Sequence, residues 1–381
     1  MNLLLKLAVG MIAGLLIGQW MPDGVIRAFV TFEVLFGDFL KFIIPFIIIF
    51  FIVSGIASLK SNSGRTLGVT VALAYLSSVA AGLLAVGAGL LTLDFYTAPV
   101  LSLQQEAIEK LKPFFIVTIP PVLDVMSALT VAFMFGIGIN VSKNALLKNV
   151  ADGCTEIIEL TIKKIIIPLL PFYICSVFAN MAAEGAVFQT LETYGFVLLL
   201  AIALHWIYLI VLYCFAGALS QSNPFTALKK MLPAYFTAIG TMSSSATIPV
   251  SLKQTKQYIK NPGIADFTVP LCATIHLAGS TITLISCAIA VMVLNHIAEP
   301  SLGLLLPFVF MLAVVMVAAP GVPGGGVMAA LGILSSMLGF PEEALGLMIA
   351  LYVAQDSLGT ACNVTGDGAI AMIVDRFCHP K

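Results

Sequence analysis

The chain has 381 residues, of which 60% are hydrophobic and only 10% charged, with a formal net charge of −1 and a mean hydropathy of +1.07. A soluble globular domain carries roughly 25% charged residues, so soluble classes are excluded and an all-α polytopic membrane protein is expected. The near-neutral balance argues against an extended nucleic-acid surface, and the seven cysteines lack CxxC spacing, which reads as buried free thiols.

A spanning helix needs about 20 apolar residues. The first is expected near 2–20; its sequence has no clear small-residue cleavage site and reads as a helix rather than a signal peptide. Helices follow near 28–58 and 66–94, then a polar surface connector at 95–113, then helices near 115–141, 147–182 and 187–219. Asp124 falls near a helix end, and Lys163 and Lys164 either snorkel or pair with Glu159. Residues 224–258 break the pattern around TMSSSATIPV (241–250), because serine hydroxyls compete for backbone hydrogen bonds. A long helix is expected at 263–296. The stretch 301–340 breaks again at APGVPGGGVMAALG (319–332), where prolines and glycines cannot continue a helix. Irregular backbone at membrane depth is tolerated only where protein buries it or a cavity adjoins it. Both stretches therefore read as re-entrant hairpins, and an eighth helix is expected at 342–375. Hairpin, helix, hairpin, helix suggests an inverted repeat of 224–296 against 301–375, the pattern that points to a transport site.

Positive charge sets the orientation. Lys60, Arg65, Lys143, Lys148, Lys229, Lys230, Lys253, Lys256, Lys260, Arg376 and Lys381 all fall on one side if the N-terminus is there too. The positive-inside rule makes that side cytoplasmic, for an integral protein of the cell membrane with both termini inside.

The densest polar motif is DSLGTACNVTGD, residues 356–367. Asp356, Thr360, Asn363 and Asp367 recur at three or four residues and share one helix face. Thr and Asn often act as interhelical glue, but two acids with no basic residue between them suit a polar solute or a cation. The serines 243–245 fit either a plain helix cap or amides that hold a carboxylate. PGVPGGG (320–326) fits either a plain loop or a tip where backbone approaches a ligand and gates it. His276 is a lone histidine, read either as a packed residue or as a ligand or proton carrier; His205 and His296 read as interface residues.

Together SSSATIP (243–249), VPLCATIHLAGST (269–281), GVPGGG (321–326) and DSLGTACNVTGD resemble the glutamate transporter homologues, the dicarboxylate/amino acid:cation symporters. The resemblance covers nearly the whole chain. It implies a homotrimer in the lipid bilayer with an elevator mechanism. The scaffold would be about 1–60 and 115–182, and the transport part about 66–94 and 187–375. It further implies that Asp356 holds a substrate α-amino group. Asn363 and Thr360, with amides near Ser244 and Ser245, would hold the α-carboxylate, and Val322 and Gly326 would close over it. One Na⁺ site would use Asp367, Asn363 and carbonyls near Cys272 and His276; a second would use carbonyls around Val317 and Ala319, facing Thr274.

The departures from the family pattern concern selectivity and coupling. The arginine that clamps an acidic side chain is Gly359 here, leaving space for a modest side chain, and another at the first hairpin tip is Met242. The family's Asn-Met-Asp-Gly-Thr reads His276-Leu277-Ala278-Gly279-Ser280, with Ser280 beside the substrate, and a third-helix tyrosine is Ala74. The resemblance therefore implies a Na⁺-coupled symporter for a small neutral amino acid, with a third Na⁺ site lost and H⁺ coupling at His276 as a variant. The alternatives are a symporter for dicarboxylates or acidic amino acids and an anion-conducting channel. A polytopic enzyme is disfavoured, since no HExxH pair or nucleophile–base arrangement is present.

Overall fold

A computed structural model describes residues 3–57, 64–93, 95, 111–183, 187–317, 319 and 323–378. Lys60, Glu106, Glu184, Val322 and Lys381 lie outside the described residues, as does most of the expected connector 95–113. The described regular structure is helical: α1 (Leu3–Trp20), α2 (Asp23–Ala57), α3 (Gly64–Leu91), α4 (Val125–Ser142), α5 (Ala145–Thr161), α6 (Ile167–Ala183), α7 (Val187–Ser220), α8 (Pro224–Thr241), α9 (Ser244–Thr255), α10 (Pro262–Ile275), α11 (Ala278–Leu294), α12 (Leu302–Val317), α13 (Gly325–Leu338) and α14 (Glu342–Cys378). Six stretches are long and apolar enough to cross a membrane, among them 262–294 and 344–378.

Two expected helices come out differently. The fourth begins at Val125, not 115, because the adjacent Pro120 and Pro121 cannot carry a helix and Asp124 caps the start, accepting from Ser127 N at 3.0 Å. Residues 111–124 instead run irregularly beside α2, where Phe114 N donates to Thr31 Oγ1 and the Arg27 guanidinium stacks 4.5 Å from the Phe114 ring. The seventh is not continuous over 263–296. It breaks at His276 and Leu277, whose φ, ψ values of −115°, 89° and −112°, 46° leave the helical region.

Between α5 and α6 the chain winds through a five-residue π-helical stretch, Ile162–Ile166. Pro168, two residues further on, offers no N–H to the turn before it. Lys163 pairs with Glu159 at 2.8 Å on this segment.

α1, α2, α4, α5 and α6 pack mainly on one another. The joint between α1 and α6 depends on absent side chains. Gly10, Gly14 and Gly18 lie four apart on α1, and a Cβ at each would overlap the backbone carbonyl of Pro171, Cys175 or Ala179 on α6. Gly14→Leu is expected to lower stability by about 1–3 kcal/mol through overpacking, seen as a lower melting temperature in detergent; an unchanged melting temperature would count against the close crossing.

The remaining helices gather around α14, which touches α3, α7, α8, α9, α10, α11 and α13. α8 and α9 form a helix–turn–helix, α12 and α13 pack on each other, and the pairs precede the long segments α10–α11 and α14. Among these long segments burial is deepest: 89% of the most apolar window of α10–α11 and 83% of that of α14 are buried, so polar groups there must find partners inside the protein.

Candidate functional site

The polar face of α14 is brought against two irregular segments. Asp356, Thr360, Asn363 and Asp367 are all at most 5% exposed. Asp356 lies under the turn between α12 and α13: Gly324 N donates to its Oδ2 at 2.7 Å. Gly324 has φ +73°, a left-handed conformation that glycine adopts without strain and that aims its N–H at the carboxylate. Thr360 Oγ1 lies 3.5 Å from Asp356 Oδ1. No salt bridge to Asp356 is found among the described residues; its burial is offset by hydrogen bonds alone.

Asn363 explains the break between α10 and α11. Its Oδ1 accepts from Gly279 N at 2.7 Å and Ser280 N at 3.2 Å, while its Nδ2 donates to Ser280 Oγ at 2.9 Å. The first turn of any helix leaves N–H groups without intrahelical partners. Here an amide from a neighbouring helix supplies the cap, replacing the local side-chain oxygen that Leu277 lacks.

Tyr352, one turn before Asp356 and 1% exposed, was not among the residues singled out from the sequence. Its hydroxyl comes within hydrogen-bonding reach of Asp356 and Ser280, and it would overlap a Cβ at Gly326. Extending the three-or-four spacing of the α14 stripe backward by one turn would have found it. Tyr352 thus joins the turn ahead of α13, the start of α11 and α14 at one point.

Gly359 offers no open space. A Cβ there would stand 3.3 Å from Thr283 Oγ1 and 3.6 Å from Gly279 C and Ser280 Cα, because α11 crosses α14 at this glycine. The space beside Gly359 is bounded by α11, tight toward the Thr283 hydroxyl and at ordinary contact distance from the backbone.

His205 is corrected too. It is 2% exposed in the interior and no interface residue. Its Nε2 faces Gly279 O at 2.9 Å and Thr283 Oγ1 at 3.2 Å. A carbonyl only accepts, so Nε2 carries the proton and donates; Nδ1 is buried with no partner among the described residues.

His276 is the centre of a second polar cluster. Its Nδ1 donates to Asp367 Oδ1 at 2.8 Å, and its Nε2 lies 3.0 Å from Ser77 Oγ and 3.3 Å from Tyr208 OH, which also bond to each other. The chain Ser77–Tyr208–His276–Asp367 links α3, α7, the α10–α11 break and α14. Cys272 is fully buried, and its carbonyl accepts from His276 N at 2.8 Å.

The remaining expected residues are dispersed. Met242 forms the left-handed turn between α8 and α9 at φ 51°, Ser243 caps α9, Ser244 is buried and Ser245 is exposed. Val317 ends α12, and the backbone N of Ala319, 2% exposed, returns to Met316 O. Thr274 is exposed, its hydroxyl donating to Leu271 O on its own helix at 2.8 Å.

Many apolar helices closing around buried carboxylates and amides define an integral membrane protein with a polar site at the level of its spanning segments. The model of the sodium:dicarboxylate symporter family matches residues 3–377, and the chain belongs to that family, which is the glutamate transporter family. Excitatory amino acid transporter 1 of Ambystoma tigrinum is 29% identical over 207 residues, 54% of this chain and 37% of that protein. The human protein of the same name is 28% identical over 210 residues, covering 54% and 38%. A symporter of Haemophilus influenzae is 31% identical over 242 residues, covering 62% and 54%. The chain thus spans from under two fifths to just over half the length of these relatives.

Proposed function

We propose that this protein is a sodium-coupled symporter for a small neutral amino acid such as serine, threonine or alanine. The supporting observation is Asp356: a buried carboxylate, held by the Gly324 N–H, with no cation paired to it among the described residues. Such a group attracts an ammonium and repels an anion. Thr360 and Asn363 follow on the same face toward an α-carboxylate, and Gly359 supplies no charge for a second one. In this reading eight spans and two re-entrant helix pairs (α8–α9 and α12–α13) form each protomer of a trimer. α3 and α7–α14 move as the transport part against α1, α2 and α4–α6, and both termini face the cytoplasm. The α12–α13 turn opens to admit substrate and closes when Asp356 is satisfied. Substrate and cation each favour the closed turn, so each raises the other's affinity.

A second reading, a symporter for acidic amino acids or dicarboxylates, is favoured by the family's description and by relatives described as excitatory amino acid transporters. A thermal-shift screen of purified protein with the twenty amino acids and several dicarboxylates, each in Na⁺ or choline, separates the two. A ligand at 100 Kd stabilises by roughly 2.7 kcal/mol. Stabilisation by a neutral amino acid only in Na⁺ is expected; stabilisation by aspartate or succinate alone would establish the second reading.

A further inference from the structure

A sodium ion is a hard cation that needs several oxygen ligands with lone pairs free to face it. Beside Asp367 the family resemblance implies such a set in Asp367, Asn363 and carbonyls near Cys272 and His276. Three of these oxygens already meet a donor of the protein. Asp367 Oδ1 takes the N–H of His276 at 2.8 Å, Asn363 Oδ1 takes two backbone N–H groups, and Cys272 O takes His276 N. The imidazole is 1% exposed, and hydroxyls of Ser77 and Tyr208 fix its other nitrogen. Turning aside would take a shared partner from both hydroxyls and leave them only each other. Position 278 is alanine, so no second carboxylate stands at the break to draw a cation in. The end of α12, as any helix C-terminus, leaves carbonyls without intrahelical partners.

We infer that Asp367 holds no sodium ion in this protein: the His276 imidazole takes the ion's place, and sodium coupling is confined to the carbonyls at the end of α12. The inference rests on the sodium-coupled reading above. In a sodium site a carboxylate is neutralised by an ion that arrives with each transport cycle. Here a resident N–H donor occupies Asp367 Oδ1, and one fewer cation moves.

The test measures sodium dependence in two ways: the sodium-induced rise in melting temperature of purified protein without substrate, and uptake into proteoliposomes. Wild type is expected to show sodium activation with a Hill coefficient of about 1. His276→Asn removes the N–H donor and is expected to bring the coefficient toward about 2 and to increase the charge moved per substrate. Where that variant does not fold, Asp367→Asn carries the test, because its amide oxygen still accepts from His276 Nδ1. Its sodium midpoint for thermal stabilisation is expected within about threefold of wild type. A wild-type coefficient near 2, or a shift of more than about tenfold in the Asp367→Asn midpoint, overturns the inference while leaving the symporter reading intact. A wild type whose stability and uptake ignore sodium altogether overturns the symporter reading and the inference with it.

Discussion

Asp356→Asn is expected to weaken amino-acid binding at least about 100-fold, a loss of about 2.7 kcal/mol, while the protein without substrate still folds. The asparagine keeps an oxygen that can accept from Gly324 N, so the turn ahead of α13 retains its anchor. It removes the negative charge that faces a substrate ammonium, and charge-assisted hydrogen bonds are roughly twice as strong as neutral ones. In a buried site the difference is larger than on a surface, because water does not screen it. Isothermal titration with the amino acid found in the screen, in saturating sodium, measures the change. An affinity within about fivefold of wild type would show that the carboxylate only anchors the turn, and the neutral amino-acid reading would lose its support. Asp356→Ala separates the two roles further, since it also removes the acceptor for Gly324.

Gly279→Ala is expected to be strongly disruptive for a single methyl group. Its Cβ would overlap Gly359 O and stand 2.5 Å from Cys362 Cβ and 3.1 Å from Asn363 Oδ1. The first of these is backbone of α14 and cannot swing aside. Overpacking in a tight core costs about 1–3 kcal/mol, and here the displacement also breaks the amide cap that Asn363 places on Gly279 and Ser280. Loss of folded protein on gel filtration, or a melting temperature several degrees lower, is the expected outcome. Gly359→Ala on the opposite helix is the control. Its Cβ meets Thr283 Oγ1 at 3.3 Å and other atoms no closer than 3.6 Å, and a hydroxyl can rotate. If both variants melt with wild type, the close crossing of α11 and α14 is not as described.

Much of the site was legible because it rests on local periodicity. The stripe Asp356, Thr360, Asn363, Asp367 follows from spacing on one helix, and all four residues are indeed buried together. The two helix pairs followed from serine, proline and glycine positions, which act on the backbone within a few residues. Other features were not legible, and each depends on a partner distant in sequence. The seventh helix carries no proline at its break; it ends at His276, where Asn363, 84 and 83 positions from Gly279 and Ser280, takes their N–H groups. His205 reads as an interface residue from the sequence, whereas its partner Gly279 O lies 74 positions away in the interior. How closely α11 approaches Gly359 was not legible either, because a missing side chain reads the same whatever lies beyond it.

Sequence alone determined the class: composition required a helical membrane protein, and the polar motifs in their order pointed to the symporter family. Those inferences hold because hydropathy and helical spacing are properties of neighbouring residues, which no packing reverses. Tertiary structure decided which buried polar atoms are already satisfied. It joined His276 to Asp367, Asn363 to the broken helix and Gly324 to Asp356, distances of 91, 84 and 32 positions. A buried donor or acceptor must be paired, and only the packing of one helix on another selects its partner.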